Sequence, residues 1–278
     1  MQEQMSVPCM WPAGVIRWRA PTPHFFAAMT RPSFIRLMLL LLSGLAAAVP
    51  LTAQAQVSKR DYAREEYLIL SGGPSLRTWE DYRLAADRHD RYWGNFIRSA
   101  RIRIDQLRRI HGDAMQITWM VYRPGYESRQ REDTVRRPEY SCTTAEIAQL
   151  ASERKVKLVW FSTKDAVINY LNNRGGRKLS GFEFYGHSNK YCFLFDYSND
   201  ILGASTCYLH CLDLKRLHRG LFTRDATVQS YGCHTGEYMS GVWKKYTGHP
   251  MIGACGKTDF SAIKDNVTLP VVNGRWSQ

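Results

Sequence analysis

The sequence predicts an α/β domain built on a mostly parallel sheet with helices on both faces, preceded by a helical N-terminal appendage. Three observations carry this expectation. After Gly112, short strand-like runs alternate with helical patterns. Two of those runs end in stretches that combine glycine with reactive side chains, "GHS" (186–188) and "GCHTG" (232–236). From Ser75 to His111 the period is helical, with Trp79, Tyr82, Leu84, Tyr92, Phe96, Ile97, Ile104 and Leu107 at three- and four-residue spacings.

Residues 1–55 stand apart from the fold. Arg31 and Arg36 precede an apolar run from Leu37 to Val49, and Ala53-Gln54-Ala55 closes it. Charge, apolar core and small residues in that order describe a secretory signal peptide, with cleavage expected after Ala55. The run is shorter than the ~20 residues a membrane span needs. Residues 1–28, ahead of Met29, read as an upstream extension. The remaining chain is expected to be secreted or periplasmic, with 56–113 as the helical appendage and 114–278 as the α/β domain.

The whole chain carries a formal charge of +13, and residues 1–55 hold four Arg and one Glu, which leaves +10. A basic exported chain suits anionic partners such as an envelope surface, and no recognisable nucleic-acid module is present. Six of the seven cysteines follow Ala55: Cys142, Cys192, Cys207, Cys211, Cys233 and Cys255. An oxidising compartment favours disulfides without saying which cysteines pair.

The elements follow in order. "MQITWMVYRPG" (115–125) reads as a strand ending in a turn, and "TTAEIAQLASER" (143–154) as a helix with a Thr143/Glu146 capping box. "KVKLVWFS" (155–162) is a second strand, and "TKDAVINYLNNRGG" (163–176) a helix closed by Gly175 and Gly176. "LSGFEFYGHS" (179–188) is a third strand, "YCFLFDYS" (191–198) a hairpin arm, and "CLDLKRLHRGLF" (211–222) a third helix. "ATVQSYGC" (226–233), "TGEYMSGVWKKYTG" (235–248) and "HPMIGACG" (249–256) read as strand, helix, strand. "VTLPVVNGRW" (267–276) reads as a last strand or a hairpin around Asn273-Gly274.

"GHS" and "GCHTG" therefore lie at the carboxyl ends of consecutive parallel strands, on the sheet edge where open α/β sheets bind ligands. A thiol and an imidazole on one edge suit acyl transfer: the thiolate attacks a carbonyl, the imidazole moves the proton, and backbone N–H groups hold the oxyanion. Cys233 is expected to begin the turn into a helix, whose N-terminus favours the thiolate. Gly232 and Gly236 allow close backbone approach.

A strand ending in His plus a small residue, a helix of the "LDLKRL" kind, and a strand ending in Cys-x-[Ser/Thr]-Gly resemble the clan CD cysteine peptidases. These are the caspase, gingipain and legumain group with the CHAT-type bacterial domains. The resemblance spans Met115 to Ser261 and implies a caspase-like sheet and thiol-dependent hydrolysis of a protein or peptide substrate. His187 matches the proton carrier, Cys233 the nucleophile, and the backbone of Ser188 and Gly232 the oxyanion region. The family has Gly after the histidine; Ser188 keeps the N–H and adds a side chain. Basic-residue preference in parts of the family, through an acidic pocket, points to Asp196 or Asp200 as substrate-binding groups.

Rival readings exist for several of these residues. "GHSNK" offers Gly186-x-Ser188 for a serine esterase, but Lys190 stands where that elbow needs glycine. A non-catalytic binding domain on the same fold is a third reading. "CYLHC" invites a metal site from Cys207, His210, Cys211 and His218, but its spacing matches no strong zinc pattern, and a disulfide at Cys207 or Cys211 suits export better. No metal or cofactor is expected. His234 is expected to point away from the nucleophile, and Tyr231, Trp160 and Phe184 to be core. "RQREDTVRRPEY" (129–140) reads as a charged loop over the same edge, with Arg129, Arg131, Arg136 and Arg137 as possible self-cleavage points.

Overall fold

The computed structural model describes residues 62–76, 81, 94–132, 142–197 and 205–277. All of these belong to one compact unit, Ser58–Gln278. The expected signal peptide and cleavage point lie outside the described residues, as do Asp200, Arg136 and Arg137.

Among the described residues, seven strands form one sheet: β1 (Glu65–Ser71), β2 (Gln116–Tyr122), β3 (Lys157–Phe161), β4 (Lys178–Tyr185), β8 (Phe222–Ser230), β9 (Ile252–Asp259) and β10 (Val271–Trp276). Their order across the sheet is β10-β9-β8-β4-β1-β2-β3. Every neighbouring pair is parallel except β9 and β10. β5 (His187–Ser188), β6 (Cys192–Leu194) and β7 (Tyr208–His210) make a small antiparallel sheet, the expected arm. The helices are α1 (Asn95–His111), α2 (Arg123–Glu132), α3 (Thr144–Glu153), α4 (Lys164–Asn172) and α5 (Met239–Thr247). The result is an α/β fold with helices on both faces, consistent with a caspase-like architecture.

Side-chain alternation divides the core into two layers. From β1, Leu68 and Leu70 enter one layer with α4 residues Val167, Ile168 and Leu171 and α5 residues Met239 and Trp243. Tyr67 and Ile69 enter the other, with Phe96, Ile97, Ala100, Ile104 and Leu107 of α1 and Ile147 and Ala151 of α3. Strands covered on both faces carry near-continuous apolar runs, as "YLIL" does in β1 and "WMV" in β2. β3 lies at the edge and is only half covered; Trp160 there is partly buried, while Tyr231 and Phe184 are core as expected.

The expected boundary between appendage and α/β domain at 113/114 does not hold. β1 lies inside the 56–113 segment and occupies the sheet between β4 and β2. α1 from the same segment covers the sheet's second layer. A short apolar run ahead of Gly72-Gly73-Pro74 is a buried central strand, because a parallel strand needs no polar face.

Other local expectations hold or shift for identifiable reasons. Thr143 caps α3 with the predicted box: its hydroxyl accepts from Glu146 N, and the Glu146 carboxylate accepts from Thr143 N. Thr163 caps α4. "CLDLKR" forms a 3-10 helix (Cys211–Arg216) instead of an α-helix. Asn273 and Gly274 sit inside β10, opposite Lys257 and Gly256, and so make no hairpin turn. "RPGYESRQRE" is α2, not a turn and a charged loop. Pro124, in the first turn of that helix, has no lost hydrogen bond to regret.

A buried carboxylate fastens α1 to the sheet. Glu183 of β4 is fully buried, and Arg103 Nε of α1 lies 2.8 and 2.9 Å from its two oxygens. Tyr67 OH of β1 donates to Glu183 Oε1 at 2.9 Å, and Tyr185 OH donates to Oε2. Burial, then Glu183, holds the phenols of Tyr67, Tyr185 and Tyr231 above their ordinary value. Burial opposes the charge on Arg103, but Glu183 and the neighbouring tyrosines together more than offset it and hold the guanidinium firmly protonated.

Two outcomes follow from this cluster. Arg103→Met leaves a buried carboxylate without its cation and should lower stability by about 3–5 kcal/mol, measured by denaturant unfolding; an unchanged midpoint would show that the tyrosines alone satisfy Glu183. The second concerns alkali. The three tyrosines keep their protons in the folded chain above pH 10.0, where unfolded tyrosines lose theirs. The unfolded state therefore binds fewer protons there, and stability falls as pH rises past that value. Melting temperatures should fall steadily above pH 10.0, with tyrosinate absorbance from these three residues appearing only on unfolding.

Candidate active site

β4 and β8 are adjacent parallel strands, and both end at the same edge. Gly186 and His187 follow β4; Tyr231, Gly232 and Cys233 follow β8. This is the placement expected from the sequence. The sheet order adds a reason. Strands are added from β1 outward through β2 to β3, and then on the other side from β4 through β8 to β9. The reversal point lies between β1 and β4, and ligand crevices open at the carboxyl ends of strands at such a point.

His187 is nearly enclosed, at 8% exposure. Its Nε2 lies 3.2 Å from Ser75 Oγ, which comes from the segment after β1. The ring is gripped edge-on by Phe96 of α1 and by Tyr197 of the arm, with centroids 5.0 and 4.9 Å away. Ser75 is itself fixed. Its backbone bridges to Tyr197, Gly73 N donates to Phe195 O at 2.9 Å, and Arg129 Nη1 donates to Ser75 O at 2.6 Å. Arg129 is 2% exposed. It is a brace beneath the site, not a point of cleavage on a solvated loop. Residues 133–141 lie outside the described residues.

Cys233 is half-buried, and its Sγ accepts a hydrogen bond from Thr258 N of β9 at 3.3 Å. The helix expected to start at Cys233 starts later. Residues 233–238 are turn, and α5 begins only at Met239. A helix dipole acts within its first turn, so it does not reach the sulfur; the donor comes from β9 instead. His234 adopts a positive φ of 62° and points its ring to Glu237, Nδ1 to Oε1 at 2.6 Å. That contact lowers the Glu237 carboxyl. His234 N donates to Gly256 O at 2.8 Å, tying the turn to β9.

Ser188 Oγ donates to Cys233 O at 2.8 Å, a direct link between the two site-bearing segments. Gly232 lies against it: a Cβ at position 232 would fall 2.3 Å from Ser188 Oγ and 2.8 Å from Ser188 Cβ. Glycine is needed there by close approach. Asp196 is buried, accepts from Thr206 Oγ1, and hydrogen-bonds Tyr122, whose phenol burial and then Asp196 push upward. It is enclosed beneath the arm.

The "CYLHC" stretch has other work. His210 Nδ1 accepts from Leu212 N at 3.1 Å and caps the 3-10 helix, while His210 N donates to Asp213. The six cysteines within the described residues are free thiols, so the expected disulfide at Cys207 or Cys211 is not formed. Cys207 Sγ points to Ser162 O and Cys211 Sγ to His210 Nδ1, each at 3.7 Å. Burial pushes Cys142 up to about 12 and Cys192 and Cys207 up to about 11. No group of three or more His, Cys, Asp or Glu among the described residues is arranged to hold a metal.

No family model, curated protein or solved structure matches the chain. What the site can do follows from its own geometry. Ser75, Phe96, Tyr197, Thr258 and Arg129 were not visible as site residues in the sequence. "GGPS" after the apolar run is the one signal from which a strand end just ahead of Ser75 could have been read.

Alkylation with iodoacetamide at mildly alkaline pH should modify Cys233 ahead of Cys142, Cys192 and Cys207, which burial holds in the neutral, unreactive form. Peptide mapping over time checks the order. Early labelling of Cys192 or Cys207 would contradict the packing of the arm.

Proposed function

We propose that the chain is an exported cysteine endopeptidase, with Cys233 as nucleophile and His187 as proton carrier. The observation that carries this reading is the half-buried Cys233 sulfur under a backbone N–H, in the turn after β8, the strand beside the one that leads to His187. A sulfur attacks as thiolate, and a fixed N–H donor supports charge on it without any motion. Export rests on the order of residues 31–55.

In this mechanism the Cys233 thiolate adds to the carbonyl of the scissile bond. The tetrahedral oxyanion is held by the backbone N–H of Ser188; that of Gly232 is already donated to Ser230 Oγ at 3.2 Å. As the C–N bond breaks, His187 gives its proton to the leaving amine. Water then attacks the acyl-thioester, losing its proton to His187, and the acid product leaves with Cys233 regenerated. The Ser75 hydroxyl on Nε2 and the two flanking rings keep the imidazole from turning, which is what a proton carrier needs between two steps.

Cys233→Ala should abolish peptide hydrolysis with an unchanged melting temperature. His187→Ala should lower kcat by about 100- to 10,000-fold, and Ser75→Ala should fall between His187→Ala and wild type. A folded Cys233→Ala protein that keeps most of its activity would overturn the reading. Labelling of Ser188 by a fluorophosphonate would support an esterase in its place.

A further inference from the structure

Few large apolar side chains stand exposed on the described surface, and two of them, from the segments that follow His187 and Cys233, meet each other. Tyr191 is 39% and Tyr238 50% exposed, and their rings pack edge to face with centroids 5.1 Å apart. Tyr191 comes four residues after His187, and Tyr238 five after Cys233. Backbone and side-chain hydrogen bonds keep the two segments together on the way out. Ser188 Oγ donates to Cys233 O at 2.8 Å, and Met239 N donates to Lys190 O at 3.0 Å. His210 leans on Tyr191 at 6.3 Å, and Lys190 Nζ lies 5.1 Å from the centroid of the same ring.

Neither tyrosine is needed to complete a core layer; both layers close without them. Aromatic side chains with an apolar body and a wet hydroxyl are the usual anchors of recognition surfaces. We propose that Tyr191 and Tyr238 form a subsite for an aromatic or large aliphatic side chain of the peptide substrate, within a few residues of the bond attacked by Cys233. This deepens the peptidase reading and rests on it. An incoming aromatic ring continues the edge-to-face cluster. A basic side chain does not, because Lys190 already lies against Tyr191 and repels a second cation.

The test uses a set of peptides in which Phe, Leu, Arg or Ala is moved through each position flanking the scissile bond. Wild type should favour Phe or Leu over Ala at one position by roughly tenfold in kcat/KM, the scale of one buried aromatic contact. Tyr191→Ala and Tyr238→Ala should each erase most of that preference through KM. Tyr191→Phe should retain it, which separates lost packing from lost folding. Hydrolysis with no such preference, with a preference for Arg, or with one unchanged in the double alanine variant would overturn this inference and leave the peptidase reading standing. Hydrolysis of no peptide would overturn the peptidase reading, and the subsite with it.

Discussion

The buried charge of Glu183 constrains more of this molecule than any other group. A carboxylate sealed in the middle of a parallel sheet is tolerable only if it is paired and fully hydrogen-bonded. Arg103, Tyr67 and Tyr185 supply that, and in doing so they fix where α1 lies across β1 and β4. The consequences reach the candidate site from two directions. α1 presents Phe96 to the ring of His187. The same helix sends Arg98 to Ile263 O and Arg101 to Asn266 Oδ1, holding the 3-10 helix Ser261–Asp265 that follows β9. β9 carries Thr258, the donor to Cys233. One ion pair thus sets the helix from which both halves of the site take their bearings.

Topology does the rest. His187 and Cys233 are far apart along the chain but follow neighbouring strands, and the sheet reverses its direction of growth next to them. The helices change face at the same place. α1 and α3 cover the layer beside Ile69 while strands are added on one side; α4 and α5 cover the layer beside Leu68 once addition moves to the other. Beside the point where the face changes, the arm β5–β7 and the segment Gly72–Ser75 meet.

How much of this was legible in the sequence depends on whether the signal was periodic or spatial. β4 and β8, which lead to His187 and Cys233, announce themselves by β-branched and aromatic residues stopping on Gly186 and Gly232, and the Thr143 box marks α3 without ambiguity. β1 was hidden because a strand buried on both faces shows no alternation, and "YLIL" is too short to distinguish from a helical turn. α2 was hidden because Arg-Pro-Gly looks like a breaker, although proline fits the first turn of a helix. Arg129 was read as solvated because arginine in a charged run usually is. Its burial depends on Ser75 O, more than fifty residues away, which no local pattern encodes. The donor to Cys233 failed for the same reason: the turn after Cys233 delays α5, and the compensating N–H comes across the sheet from Thr258.

Ser188 shows how a departure from a resembled pattern is absorbed. A side chain at that position needs room, and Gly232 provides it: the Ser188 hydroxyl lies where a Cβ of residue 232 would otherwise sit. The two positions are therefore coupled by volume, and a larger residue at 232 would be excluded by the serine alone. Having entered that space, the hydroxyl donates to Cys233 O. The hydrogen bond joins the residue after His187 to the carbonyl of Cys233 itself, so it fixes the spacing of the two segments at the point where the chemistry would occur. Glycine at 188 would leave that spacing to the sheet register and to the outer bond from Met239 N to Lys190 O. Serine in this setting works as a clasp, and the glycine opposite is what lets it close.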